Sequence, residues 1–167
     1  DNDYHIEAGD VRELDLSLGA GIFTISEKDE SDGLIDLYVR GKGDVDFYVK
    51  DNSLHVEGFK GNKLLIGVGE LDNQITLRIP KGMGFDEIDL EIGAGSMDIC
   101  NLKARELDAN VGAGELIIGK AEITSFSAEI GAGQLSADEM YVWEADVEVG
   151  LGSLSYEGVI EQELDAQ

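Results

Sequence analysis

Cysteine, proline, basic residues and long apolar runs are all scarce in this sequence, and each scarcity excludes something. The 167 residues include one cysteine, Cys100, so an internal disulfide and a zinc site built on several thiolates are both excluded. Lys and Arg number 12 against 36 Asp and Glu, a formal charge of −24. Such a surface repels phosphate backbones and anionic lipid, so nucleic acid is not an expected partner. The longest apolar stretch, Leu64 to Gly69, falls far short of the ~20 residues that a membrane-spanning helix needs. The opening DNDYHIE is acidic and polar rather than a signal peptide, which fits either a cytosolic protein or an excised domain. What remains is a chain of ordinary single-domain length, 43% hydrophobic, able to bury roughly 70% of its extended surface without staples. One proline stands against 22 glycines, and the glycines carry the pattern.

Residues 89–99 read DLEIGAGSMDI, 108–118 DANVGAGELII, 127–137 SAEIGAGQLSA and 146–156 DVEVGLGSLSY. Their leading glycines, Gly93, Gly112, Gly131 and Gly150, are spaced by 19 residues every time. Near the N-terminus, residues 15–25 read DLSLGAGIFTI and fit the same template. Looser Gly-x-Gly copies occur at Gly41 and Gly67, as inserted coils or hairpin turns. Apolar residues alternate at period 2 on both sides of each Gly-x-Gly, the signature of half-buried strands. Gly19, Gly21, Gly93, Gly95, Gly112, Gly114, Gly131, Gly133, Gly150 and Gly152 are expected to form structural corners. A third apolar group follows each pair, such as Ala121, Ile123 and Phe126. One unit is then three short strands with three corners, a closed coil of about 60 Å perimeter at ~3.3 Å per residue.

Stacked coils make a single-stranded parallel β-solenoid, an all-β fold whose hand is left open with right-handed winding favoured. A β-sandwich or up-and-down barrel would need hairpin turns every ~8–12 residues, which the C-terminal half lacks. The expected organisation is one domain over 1–167, with irregular coils over 1–85 and regular 19-residue coils over 86–167. The middle, 34–80, allows antiparallel ribbon, with Asp51-Asn52 as a hairpin tip and Pro80 ending a strand. Ile92, Val111, Ile130 and Val149 should stack as one inward ladder, and Met97, Leu116, Leu135 and Leu154 as another. After Lys120 there is no Lys or Arg while Asp and Glu number 11, an acidity suited to protecting open strand edges.

The order DLSLGAG, SLHVEG, ITLRIPKG and then repeated Gly-x-Gly coils resembles the bacterial putative-adhesin domain family of unknown function, related to the toast-rack domains of cell-envelope stress regulators. The resemblance spans nearly the whole chain. It implies a β-solenoid on the outer side of a bacterial membrane, extracellular or at the cell surface, anchored by a segment outside this sequence. It also implies no catalytic residues.

The chemistry-bearing residues agree with a non-enzymatic protein. His5 and His55 lie in separate strands without the spacing of a nucleophile–His–acid site. Cys100 sits at a corner with no basic neighbour closer than Lys103, as a packed small residue would. Gly-x-Gly recurs in every coil and is followed by β residues, so it is no dinucleotide fingerprint. It also lacks the Asp of a calcium-binding β-roll. A polysaccharide lyase or hydrolase on a β-helix would want carboxylates beside bases, and the regular coils offer only Lys103, Arg105 and Lys120 on another face. No cofactor is expected. Two surfaces stand out. If Met140 and Val142 are core, Tyr141 and Trp143 face outward with Ile160 one coil away, a surface for a protein or glycan partner; the ordinary alternative packs Trp143 beneath a terminal cap. Asp89, Glu91, Asp108, Glu129, Asp146 and Glu148 share one face, which is either a solvated acidic surface or a calcium-binding one. The functional expectation is an extracytoplasmic adhesin, sensor or binding module of unknown ligand. The alternatives are a scaffold that self-associates through its solenoid ends and, third, a carbohydrate-active β-helix enzyme.

Overall fold

The computed structural model describes residues 1–59 and 73–166, with side chains described for 1–59 and 73–155. The Gly67 copy and the Leu64 to Gly69 stretch lie outside these residues. The fold is all-β: β1 (Asn2–Glu7), β2 (Glu13–Glu27), β3 (Leu34–Arg40), β4 (Val45–Lys50), β5 (Ser53–Gly58), β6 (Gln74–Ile79), β7 (Phe85–Ile99) and β8 (Leu102–Ala166). A single 3-10 turn, Ala8–Asp10, is the only helical element among the described residues. The strands form one curled, mixed sheet.

The 19-residue repeat is realised as parallel pairing. β7 lies on β8 with Ile88 opposite Leu107, Leu90 opposite Ala109 and Gly95 opposite Gly114. Further along β8 the same offset persists: the Gln134 amide donates to Glu115 Oε2 at 2.8 Å, and a Cβ placed on Gly131 would sit 2.6 Å from the Gly112 carbonyl oxygen. The buried positions show where the chain turns. Leu107, Ala109 and Val111 point inward, then Leu116 and Ile118, then Ala121 and Ile123, then Phe126. Within each run the inward residues are two apart; between runs the step is odd. An odd step in a straight strand would put the next side chain in solvent, so each one marks a corner. Three such steps recur per repeat, the longest across Gly-x-Gly, whose second glycine holds φ of 138° at Gly114 and 142° at Gly133. β7 gives way to β8 at Cys100-Asn101, where Asn101 takes φ 56°.

Strand β2 belongs to the same stack although 74 residues separate it from its partner: Asp15 pairs with Asp89, Leu18 with Ile92 and Gly21 with Gly95. Its other edge is shared, residues 13–18 with β5 and residues 22–27 with β6, both parallel. Beyond them the sheet turns antiparallel: β4 on β5, β3 on β6, β1 on β3. The middle therefore holds both antiparallel ribbon and strands that continue the stack. Asp51 and Asn52, at φ 52° and 63°, form the two-residue hairpin tip between β4 and β5. Gly41, at φ 119°, lies in the connection from β3 to β4, where a Cβ would sit 2.8 Å from Asn73 Cα.

The buried apolar residues form one contiguous cluster running from the N-terminal strands through the repeats. Ile92, Val111 and Ile130 are buried and Val149 is partly buried, as one ladder. Met97, Leu116 and Leu135 are buried as another, but Leu154 is 38% exposed. Leu154 departs from the expected ladder because its repeat has a stacked neighbour within this chain on one side only.

Candidate functional site

Outward positions of neighbouring repeats line up across the sheet, so each face reads as rows of side chains. On one face the third segments of successive repeats bring Gly84 and Asp86 beside Lys103 and Arg105, then Glu122 and Thr124, then Tyr141 and Trp143. Together they line a shallow groove of about 500 Å³. The intervening residues Phe85, Ala104, Ile123 and Val142 are buried and fix the phase. Met140 and Val142 are core, and Tyr141 and Trp143 are 46% and 50% exposed, so the pair faces solvent rather than packing beneath a cap. The Lys103 ammonium lies 3.7 Å from Glu122. The side chain of Ile160 is outside the described set.

A second face carries carboxylates. The registers align Glu13, Glu87 and Glu106 in one row and Asp15, Asp89 and Asp108 in the next. Mutual repulsion shows in the acidities. Asp89 beside it, together with partial burial, raises the Glu87 carboxyl, and burial with Asp108 and Asp15 raises that of Asp89. Glu91 faces Asn110, which interrupts the next row. Glu129, Asp146 and Glu148 are exposed in later repeats. Among the described residues no three His, Cys, Asp or Glu side chains converge as metal ligands would. The rows extend into β2, where His55 Nδ1 lies 3.1 Å from Asp15 and its ring stacks on Tyr48. Glu13, Asp15, Glu87 and Glu106 were not among the expected acidic-face residues. Aligning residues 13–27 with 87–101 and with the next repeat, 106–120, on the glycine template would have found them.

The remaining ionisable groups hold strands together. Lys28, 5% exposed, reaches Asp36 and Asp32, each at 2.9 Å, and donates to the Leu34 carbonyl at 2.8 Å. His5 Nδ1 meets Asp36 from the other side at 2.6 Å. Burial pushes the Asp36 carboxyl up, but hydrogen bonds from Lys28 and His5 outweigh it and leave it below the usual range. The Cys100 thiol is raised by burial and by Asp98, which argues against a reactive thiolate.

Residues 11–167 match the Toastrack DUF4097 family. The chain belongs to this family. The matched span opens just before β2 and runs through β8, leaving out only β1 among the described strands. Solved structures with similar outlines include a putative cell adhesion protein from Clostridium sporogenes, 11% identical with a TM-score of 0.47 over 99% of each chain. A putative adhesin from Parabacteroides distasonis is 16% identical, TM-score 0.49, over 99% of this chain and 77% of that one. Another, from Bacteroides fragilis, is 14% identical, TM-score 0.39, over 99% and 96%. No curated protein matches the sequence significantly. Among the described residues of this toastrack chain, no helix is long and apolar enough to cross a membrane.

Proposed function

We propose that this chain is a non-enzymatic binding module of the bacterial cell envelope, displayed outside the membrane and tethered through sequence beyond residues 1–167. In this reading 1–167 is one domain, and 86–167 winds as a parallel β-solenoid that extends the irregular coils of 1–85. The observation that carries the reading is the exposed Tyr141–Trp143 pair lining a groove, its outward phase fixed by the buried Met140 and Val142. Large aromatics left in solvent on a rigid sheet are characteristic of a surface that meets a partner. The test is protease accessibility of the full-length gene product in intact cells of its source. Digestion of this domain without lysis is expected; digestion only after lysis overturns the placement.

A second reading, a scaffold that associates end to end, is favoured by Leu151 and Leu154, 75% and 38% exposed in one repeat near the C-terminal end. Light scattering over a concentration series separates the two, because a scaffold gains mass with concentration and a monomeric binding module does not.

A further inference from the structure

The groove headed by Tyr141 and Trp143 differs in charge from the rest of the molecule. Its lining carries two cations, Lys103 and Arg105, and two carboxylates, Asp86 and Glu122, so it is balanced within a chain of −24. Lys and Arg are absent after Lys120, and the face bearing Asp15, Asp89 and Asp108 carries two aligned rows of three carboxylates, with only Lys50 and His55 beside them at its β4–β5 end. A basic partner would be drawn to those carboxylate rows, not to the groove. A polyanion would gain little from two cations already facing carboxylates and would be repelled by the molecule as a whole. An apolar peptide segment would strip water from Lys103, Arg105 and Glu122 without giving them partners.

The ligand class that fits is one with flat apolar faces and neutral groups that both donate and accept hydrogen bonds. Sugar rings have this chemistry: C–H faces that lie on aromatic rings, rimmed by hydroxyls. The groove supplies both halves. Tyr141 and Trp143 alternate along one strand, which places them about 6.6 Å apart on the same face. Arg105 and Lys103 donate, Asp86 and Glu122 accept, and Thr124 does either. Adjacent rows lie about 4.8 Å apart, so a linear chain crossing the strands meets the aromatic pair first and the polar rows next. We propose that this groove binds a neutral polysaccharide, with Trp143 and Tyr141 as the stacking platform and Lys103, Arg105, Glu122 and Asp86 as the hydroxyl-reading residues. The proposal rests on the binding-module reading above and names its ligand.

Trp143 is the sole tryptophan, so intrinsic fluorescence reports on the site directly. The probes are neutral hexose and N-acetylhexosamine hexasaccharides, screened on an array and then titrated in solution. At least one should shift Trp143 emission saturably, with affinity unchanged between 50 and 500 mM sodium chloride. Trp143→Ala should reduce array binding at least tenfold, and Lys103→Ala with Arg105→Ala several-fold. Gln134→Ala, on another face, should bind as wild type, and both exposed-site variants should keep the wild-type melting temperature. The proposal is overturned if no neutral glycan alters the emission, or if array binding survives Trp143→Ala. It is equally overturned if only charged glycans bind with steep salt dependence, or if the emission changes with protein concentration alone, which marks a second copy as the occupant. None of these outcomes depends on where the domain is displayed, so failure here leaves the accessibility test standing.

Discussion

The two halves of this chain solve the same packing problem by different means. From Phe85 onward each repeat is covered by a copy of itself, so backbone groups meet their partners by translation and the described core there contains no buried polar side chain. Before Phe85 the copies are interrupted, and all four buried polar or charged residues among those described, Lys28, Asp36, Ser53 and Asn73, lie there. Asn73 illustrates the difference. In the repeats the second corner glycine packs against the carbonyl of its predecessor; at Gly21 that place is taken by the Asn73 carbonyl, which also accepts from Ile22 N at 2.8 Å. The Asn73 side chain accepts from Lys42 N at 3.1 Å. Where translation stops, side chains must take over what the neighbouring copy would supply.

The largest effect that would sharpen this contrast is at the corner glycines. A Cβ at Gly133 would overlap the Gly114 carbonyl, and φ there is 142°. Gly133→Val should cost at least about 3 kcal/mol and abolish a cooperative melt near the wild-type temperature. Gly82→Ala, at φ 77° with open space around it, should cost only about 1 kcal/mol. Equal melting temperatures for the two would show that the stacked corners are no tighter than an ordinary turn. Next, Ile130→Ala should cost roughly 2–4 kcal/mol as a cavity, measured by urea unfolding. Lys28→Ala should cost about 2 kcal/mol, below the range for a fully buried pair because Asp32 is open to solvent. Its test is whether Lys28→Met, which refills the volume, recovers part of the loss.

A smaller effect separates the regions by the sign of their pH response. Asp32 and Asp36 are held below 3.8, so the stability from the Lys28 network is present above that value and is lost as pH falls through the folded values below it. Glu87 and Asp89 are raised from 4.5 and 3.8, so between those values and the folded ones the native state holds more protons. Stability therefore falls as pH rises through that window. Glu87→Gln with Asp89→Asn should raise the urea midpoint at pH 7 and flatten its decline as pH rises above those starting values. A midpoint unchanged at pH 7 would show that the rows carry no strain. The smallest effect concerns cations: millimolar calcium and sodium chloride of equal ionic strength should shift the melt alike, by screening alone. A larger shift with calcium would establish a specific site on the carboxylate face.

Much of the C-terminal half was legible because a repeat makes one physical solution visible several times over. The inward phase of Ile130 and Leu135, the outward phase of Tyr141 and Trp143 and the close approach at Gly114 all follow from period-2 alternation and a fixed spacing. The Asp51-Asn52 hairpin was equally local. The N-terminal half was less legible, since its partners are distant in sequence. Nothing between Asp15 and Asp89 announces that they sit side by side, and only the shared DL-x-φ-GAG template hints at it. Lys28 and Asn73 carry no sequence signature, because their roles come from what surrounds them once the sheet has curled. The groove was half visible: the aromatics stood out, whereas its charge-balanced polar rows appear only when three repeats are laid across one another.

The position of β2 also sets an order of events during synthesis. Asp15 finds one partner in His55 and the other in Asp89. As the chain emerges, the first of these can form while the second edge of β2 stays open until some 34 further residues have appeared, the interval from His55 to Asp89. The repeats after Phe85 close their own contacts at a range of 19 residues and need no such wait. Docking of β7 onto β2 is the pairing of longest sequence range in the described sheet and is therefore expected to form slowly, leaving that edge of β2 open to a neighbouring chain until it does. The acidic residues Glu13 and Asp15 lie along that waiting edge, so the repulsion that strains the finished sheet also keeps two unfinished chains apart.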